Sequence, residues 1–219
     1  MKYLLDTIII GIQVITDSYK NRVEVIVNKK ELQQKFEELK LEDQITLDDI
    51  PEIDLYMDQV IQLFESNLAA AKRNEEDKVL TKTMINNYSK GKLLMSVNNK
   101  KYTKEHIILM SIIYNLKGAL SINDIKSSVS KIVESNESEE KYNLRDMYEC
   151  YLEQYKDDLV EVEISLSDKA DSIEEKIRRK NGEITDFDRN FLLLCSMVNM
   201  SNMYRKMSEK LVDDYFEKL

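Results

Sequence analysis

Seven lysines fall within the twenty-seven residues from Lys78 to Lys104, and no acidic residue is among them. Two adjacent carboxamides, Asn86 and Asn87, lie in the middle of this stretch. Ammonium groups at this density attract an anionic surface, and a carboxamide can give and take hydrogen bonds at once. The setting sharpens the contrast, because the whole chain carries 41 acids and a net charge of -9. Between Lys72 and Lys104 the balance is instead nine basic residues to three acidic ones. A basic island on an acidic protein marks a surface that meets an anion, or else a solvated lysine-rich loop.

Other chemistry lacks its parts. His106 is the one histidine, so there is no paired-histidine zinc motif and no Glu-x-x-His pair. Four scattered glycines make no phosphate-cradling loop. Cys150 and Cys195 belong to no CxxC or Cys/His cluster and are expected as buried, reduced thiols. The ten methionines suit adaptable packing better than metal binding. The chain is therefore expected not to be an enzyme and to need no cofactor or metal.

The elements that position the island are mostly helical, as 33% charged residues with one proline suggest. Residues 3–27 alternate Val23, Val25 and Val27 and favour two strands, although 3–16 also fits a buried helix. Asn28 and Glu31 form a capping-box-like start for a short helix holding Leu32, Phe36 and Leu39. Asp48, Asp49 and Pro51 announce a helix whose stripe is Ile53, Tyr56, Met57, Val60, Ile61, Phe64 and Leu68. A polar linker, Lys72–Asp77, follows.

Thr81 and Gly91 bracket a short helix from Lys82 to Lys90. Ser96–Lys101 has no helical signal and fits a small wing. Thr103 caps a helix whose core, Ile107–Leu116, is apolar on nearly every side. Ser121 and Asp124 start another, through Ile122, Ile125, Val129 and Val133, before a polar break at Ser135–Glu140. Beyond it a three-four rhythm runs from Leu144 through Tyr148, Tyr151, Tyr155 and Leu159 to Ile177, with a kink expected at Ser165–Asp168. Asn181-Gly182 turns the chain into a last helix, capped by Asp186 and running to Leu219. The apolar run at the N-terminus is interrupted by Asp6 and is too short to span a bilayer, so a cytoplasmic protein without a membrane partner is expected.

The order LTKTMINNYSKGKLL (80–94), KKYTKEHI (100–107) and LSINDIK (120–126) resembles the DNA-binding half of the MerR-like regulators. Their recognition helix ends in two aromatics and a Gly-Leu-Leu exit, followed by a wing with a base and a tyrosine. Tyr88 matches the second aromatic, Leu93-Leu94 the exit, and Lys100 and Tyr102 the wing. Together with IDLYMDQV (53–60), the pattern resembles more closely an uncharacterised bacterial family known as a domain of unknown function, over about Leu47–Val133. Two positions depart from the MerR-like pattern, because Asn86 and Asn87 replace its phosphate-contacting arginine and its first tyrosine. The turn before the recognition helix is also longer, since Lys72–Leu80 intervenes.

The patterning and the resemblance together predict a mainly α fold: the patterning gives a small N-terminal β/α extension (1–46) and a long C-terminal helical hairpin (141–219), and the resemblance implies a winged helix-turn-helix between them (47–135). The resemblance implies a sequence-specific regulator of transcription that binds double-stranded DNA, and the apolar three-four rhythm after Tyr142 predicts a homodimer held by that segment, as a long helix pairs two subunits in the MerR-like proteins. Thr83, Asn86 and Asn87 would face the major groove, where asparagine can pair with adenine. Lys82, Lys90, Lys92, Lys100 and Lys101 would hold phosphates, with Tyr88 and Tyr102 beside them. The sequence names no effector. The alternative is an interaction or structural domain that kept the fold and lost DNA binding; the missing arginine and the excess acid favour it.

Overall fold

The computed structural model describes residues 30–138, 142–180 and 185–216. The expectations for residues 3–27, Asn28 and the Asn181-Gly182 turn lie outside these residues. The fold is mainly α, as expected. The chain divides into two compact units, one of residues 40–159 with the segment from Met197 onward, the other of the residues up to Leu39 with Val160–Ser196.

The first helix, α1 (30–38), belongs to the smaller unit. Glu31 and Lys35 pair across one turn at 2.6 Å, while Leu39 is exposed beyond the helix end rather than part of its apolar face. Ile173 and Leu193 are buried in the same unit.

The larger unit begins with a looped segment instead of a helix. Thr46 donates from its amide and its hydroxyl to Asp49, at 2.8 and 2.7 Å. Ile45 and Ile50 plug the core. Pro51 does not start a helix, and Ile53 is exposed. The chain stays extended through β1 (Leu55–Tyr56), and α2 (Met57–Leu68) begins only there. Tertiary pairing decides this: β1 lies antiparallel to β2 (Lys101–Tyr102), with Leu55 opposite Tyr102 and Tyr56 opposite Lys101. Leu55 and Tyr102 face inward, and the Lys101 ammonium sits 5.3 Å from the Tyr56 ring centroid on the outer face. Val60, Phe64 and Leu68 of α2 are buried as the stripe required.

After a 3-10 turn (Ala69–Ala71) and the polar linker comes α3 (Lys82–Lys90). The Thr81 hydroxyl accepts the Met84 amide at 3.2 Å, as its cap. The helix closes differently from expectation. Leu93 N–H bonds the Tyr88 carbonyl and Lys92 N–H the Ser89 carbonyl, at 2.9 and 3.1 Å. That is a Schellman closure, and its left-handed residue is Lys92 (φ 59°), not Gly91 (φ -73°). Gly91 is required for space, since a Cβ there would lie 2.6 Å from Leu93 Cδ1, and Leu93 is fully buried.

A tight turn, Asn98–Lys101, leads into β2, closed by Lys101 N–H to the Asn98 carbonyl at 2.9 Å. Both central residues are left-handed, Asn99 at 50° and Lys100 at 61°, which makes it a type I′ turn. The next helix, α4 (Lys104–Leu116), is buried without interruption from His106 to Ile113, matching its all-round apolar sequence. In α5 (Ile122–Glu137) a Ser121–Asp124 capping box starts the helix, and Ile125, Val129 and Val133 are buried, while Ile122 is exposed.

The long helix α6 (Leu144–Arg178) runs unbroken through Ser165–Asp168, where a kink was expected. Its first part completes the larger unit instead of forming a separate seam. Leu144 and Tyr148 are fully buried, and the Tyr148 hydroxyl bonds the Ile45 carbonyl (2.6 Å) and Ser111 Oγ (2.8 Å). The Asn115 carboxamide donates to the Tyr151 hydroxyl at 2.7 Å, and the Tyr155 hydroxyl donates to the Leu41 carbonyl at 3.0 Å. The tyrosine stripe thus stitches segment 40–46 to α4. The boundary between the two compact units falls inside α6, after Leu159. Cys150 is exposed and Cys195 half-buried, so neither is the buried thiol expected.

The last helix, α7 (Asp186–Leu211), is capped by Thr185, whose hydroxyl accepts the Asp188 amide at 3.1 Å, rather than by Asp186. It passes into a π-helical turn, Val212–Phe216, that packs on α5 and buries Val212. No helix among the described residues is long and apolar enough to cross a membrane.

Candidate nucleic-acid interface

Ile85 and Tyr88 anchor α3, with exposures of 0% and 5%. A helix fixed along one stripe must present the opposite one. Thr83, Asn86, Asn87 and Lys90, spaced three, four and seven residues apart, are all exposed on that free face. The chain thus brings four of the anticipated residues together on one short helix.

The two tyrosines have a different place. Tyr88 and Tyr102 are buried at 5% and 4%, and burial raises both phenols above their usual range. The Tyr102 ring meets the His106 imidazole edge-on, with centroids 5.8 Å apart. These rings hold the 98–101 turn and α3 to the core, and the polar groups around them do the presenting.

The lysines divide by their partners. Lys82 pairs with Asp58 of α2 at 2.8 Å, an exposed contact of small energetic weight. Lys101 covers Tyr56. Lys104, at the edge of the island, is taken up structurally: its nearly buried side chain pairs with Glu52 at 2.5 Å, and Arg145 bridges Glu52 and Glu105. Lys90, Lys92 and Lys100 form no ion pair among the described residues and are exposed. Lys92 and Lys100 both sit at left-handed backbone positions.

Between α3, the 98–101 turn and α5 runs a groove of about 1120 Å³. Asn86, Lys82, Lys92 and Lys100 reach it, and so does Lys126 from α5, which sequence reasoning placed in a motif but not in the site. Its charge was the available signal; its position depends on how α5 packs. Ser96, Glu134 and Glu137 also line the groove and gave no sequence signal.

His106 secures the floor. Its Nδ1 accepts the Thr103 amide at 3.2 Å, which leaves the proton on Nε2 to donate to the Met95 carbonyl at 3.2 Å. Burial pushes this imidazole below its ordinary value, opposed by the Met95 bond and nearby Glu105. It pins the start of α4 to Met95.

Residues 45–151 match the family model described as a domain of unknown function, DUF1836. That span agrees with the resemblance drawn from IDLYMDQV and the motifs after it, and reaches on into α6. No curated protein and no solved structure matches the chain.

Proposed function

We propose that this chain is a cytoplasmic, sequence-specific double-stranded DNA-binding protein, a transcription regulator of MerR-like winged helix-turn-helix type. On this reading α2 and α3 are the helix-turn-helix, α3 enters the major groove, and the type I′ turn at Asn98–Lys101 is the wing. The observation that carries it is the shared exposed face of Thr83, Asn86, Asn87 and Lys90 beside the exposed Lys92 and Lys100. Carboxamides in the middle of such a face suit base edges, and lysines at its ends and on the wing suit flanking phosphates.

The protein acts as a homodimer that presents two such heads to a pseudo-palindrome. The part of the α6 rhythm before residue 160 is spent on the chain's own core, so the dimer surface is sought on α7. There Met203, Tyr204 and Met207 are each more than 60% exposed. A helix that leaves such side chains in water gains by burying them against a second copy.

A second reading, an interaction domain that kept the fold without binding DNA, is favoured by the asparagine in place of the phosphate-contacting arginine and by the net charge of -9. Titration of labelled duplexes selected from random sequence separates the two. Neutralising five to six phosphates per dimer gives log affinity against log salt a slope of about -5. Absence of binding to any duplex at low salt leaves the interaction reading.

A further inference from the structure

Glu137, the last residue of α5, reaches back 41 residues to Ser96. One of its oxygens, Oε1, accepts both the Ser96 amide and the Ser96 hydroxyl, each at 2.6 Å. The contact lies in the groove that Asn86, Lys92 and Lys100 share. An oxyanion held by a backbone N–H and a hydroxyl, with an ammonium nearby, is the arrangement by which proteins grip a phosphodiester oxygen.

The carboxylate is poorly placed on its own helix. A helix C-terminus carries partial negative charge and repels an acid there. The last turn of α5 has no basic residue to offset this, and Glu134 adds a second acid one turn earlier. The favourable partners of Glu137 come from outside the helix. The Ser96 hydroxyl and amide hold its carboxyl below the usual range, with Lys92 contributing at longer reach.

We infer that Ser96 is a docking point for a nucleic-acid phosphate, and that Glu137 occupies it in the free protein as an internal phosphate mimic. The inference rests on the DNA-binding reading above and adds a regulated contact to it. A backbone phosphate arriving between α3 and the wing displaces the Glu137 side chain, which turns into solvent beyond the helix end. DNA affinity is thereby held below what the basic groove alone would give. Contacts that draw Glu137 away release it.

The test compares Glu137→Ala with Glu134→Ala in the full-length chain. Both remove one negative charge from the same groove, but only the first vacates Ser96. Circular dichroism and thermal melts confirm that each variant is folded. Affinity for a selected duplex is then measured at several salt concentrations. Glu137→Ala should bind about fivefold tighter than Glu134→Ala, the order expected of one charge-assisted hydrogen-bonded pair at an exposed site. Adding Ser96→Ala to Glu137→Ala should remove most of that gain, because the hydroxyl is then missing for the phosphate. If the native chain binds DNA and the two single variants bind equally, Glu137 is only a structural pin, and the DNA-binding reading stands. If the native chain and every variant fail to bind any duplex, both readings fall together.

Discussion

His106 donates its Nε2 proton to the carbonyl of Met95, eleven residues earlier, and so ties the start of α4 to the segment leaving α3. The Thr103 amide bond needs a neutral ring, because Nδ1 must be unprotonated to accept it. The folded value lies below the ordinary 6.5, with burial as the main cause and the Met95 bond, Glu105, Asp54 and Glu137 opposing it. The unfolded chain binds this proton first. The stabilisation is complete above about pH 6.5 and is lost as pH falls through the folded value. Thermal midpoints should drop between pH 7.5 and 5.5. His106→Gln, which keeps an acceptor for Thr103, should flatten that dependence. An unchanged pH profile in the variant would show that another group sets it.

Base readers and phosphate holders should fail differently. Asn86→Ala or Asn87→Ala should relax preference at particular base pairs, at about 1–3 kcal/mol for each bidentate contact. Lys90→Ala should weaken cognate and scrambled duplexes alike and reduce the salt slope by about 1. Lys101→Ala should do less, since that ammonium already rests on Tyr56. Identical behaviour of all of these on both duplexes would show that α3 is not the reading element.

Lys100 occupies a left-handed position in a type I′ turn, where glycine is preferred. Lys100→Gly should raise stability by about 0.5–1 kcal/mol while lowering DNA affinity. Denaturant unfolding and duplex titration on one preparation give both numbers. A variant that is less stable, or that binds DNA as well as the native chain, would contradict the placement of this lysine at the wing tip for a contact.

Tyr204 and Met207 are exposed at 63% and 61%. Replacing both with glutamate should cost little folding stability in a single chain. It should convert the homodimer to a monomer, because two buried charges would have no partner. Light scattering of the native and doubly substituted chains decides it. A native chain that is already monomeric at tens of micromolar rules out the dimer.

Local chemistry was legible in the sequence wherever neighbours along the chain settle the outcome. Thr81 and Ser121 cap the helices their positions announced, and the all-round apolar stretch after Thr103 became the central buried helix. The free face of α3 follows from helical spacing once Ile85 and Tyr88 are assigned to the core. Tertiary structure decided what depends on distant partners. Pairing of Leu55 with Tyr102 held the chain extended past Pro51 and delayed α2, a contact across 47 residues that no local pattern contains. The Tyr148–Ile45 bond drew the start of α6 into the larger unit, and packing of α5 carried Lys126 and Glu137 to the groove. Helix caps and periodicity are set by interactions within a few residues, so they are written in order along the chain. Which lysine stays unpaired, and which carboxylate meets Ser96, is set by where separate elements land when the core closes.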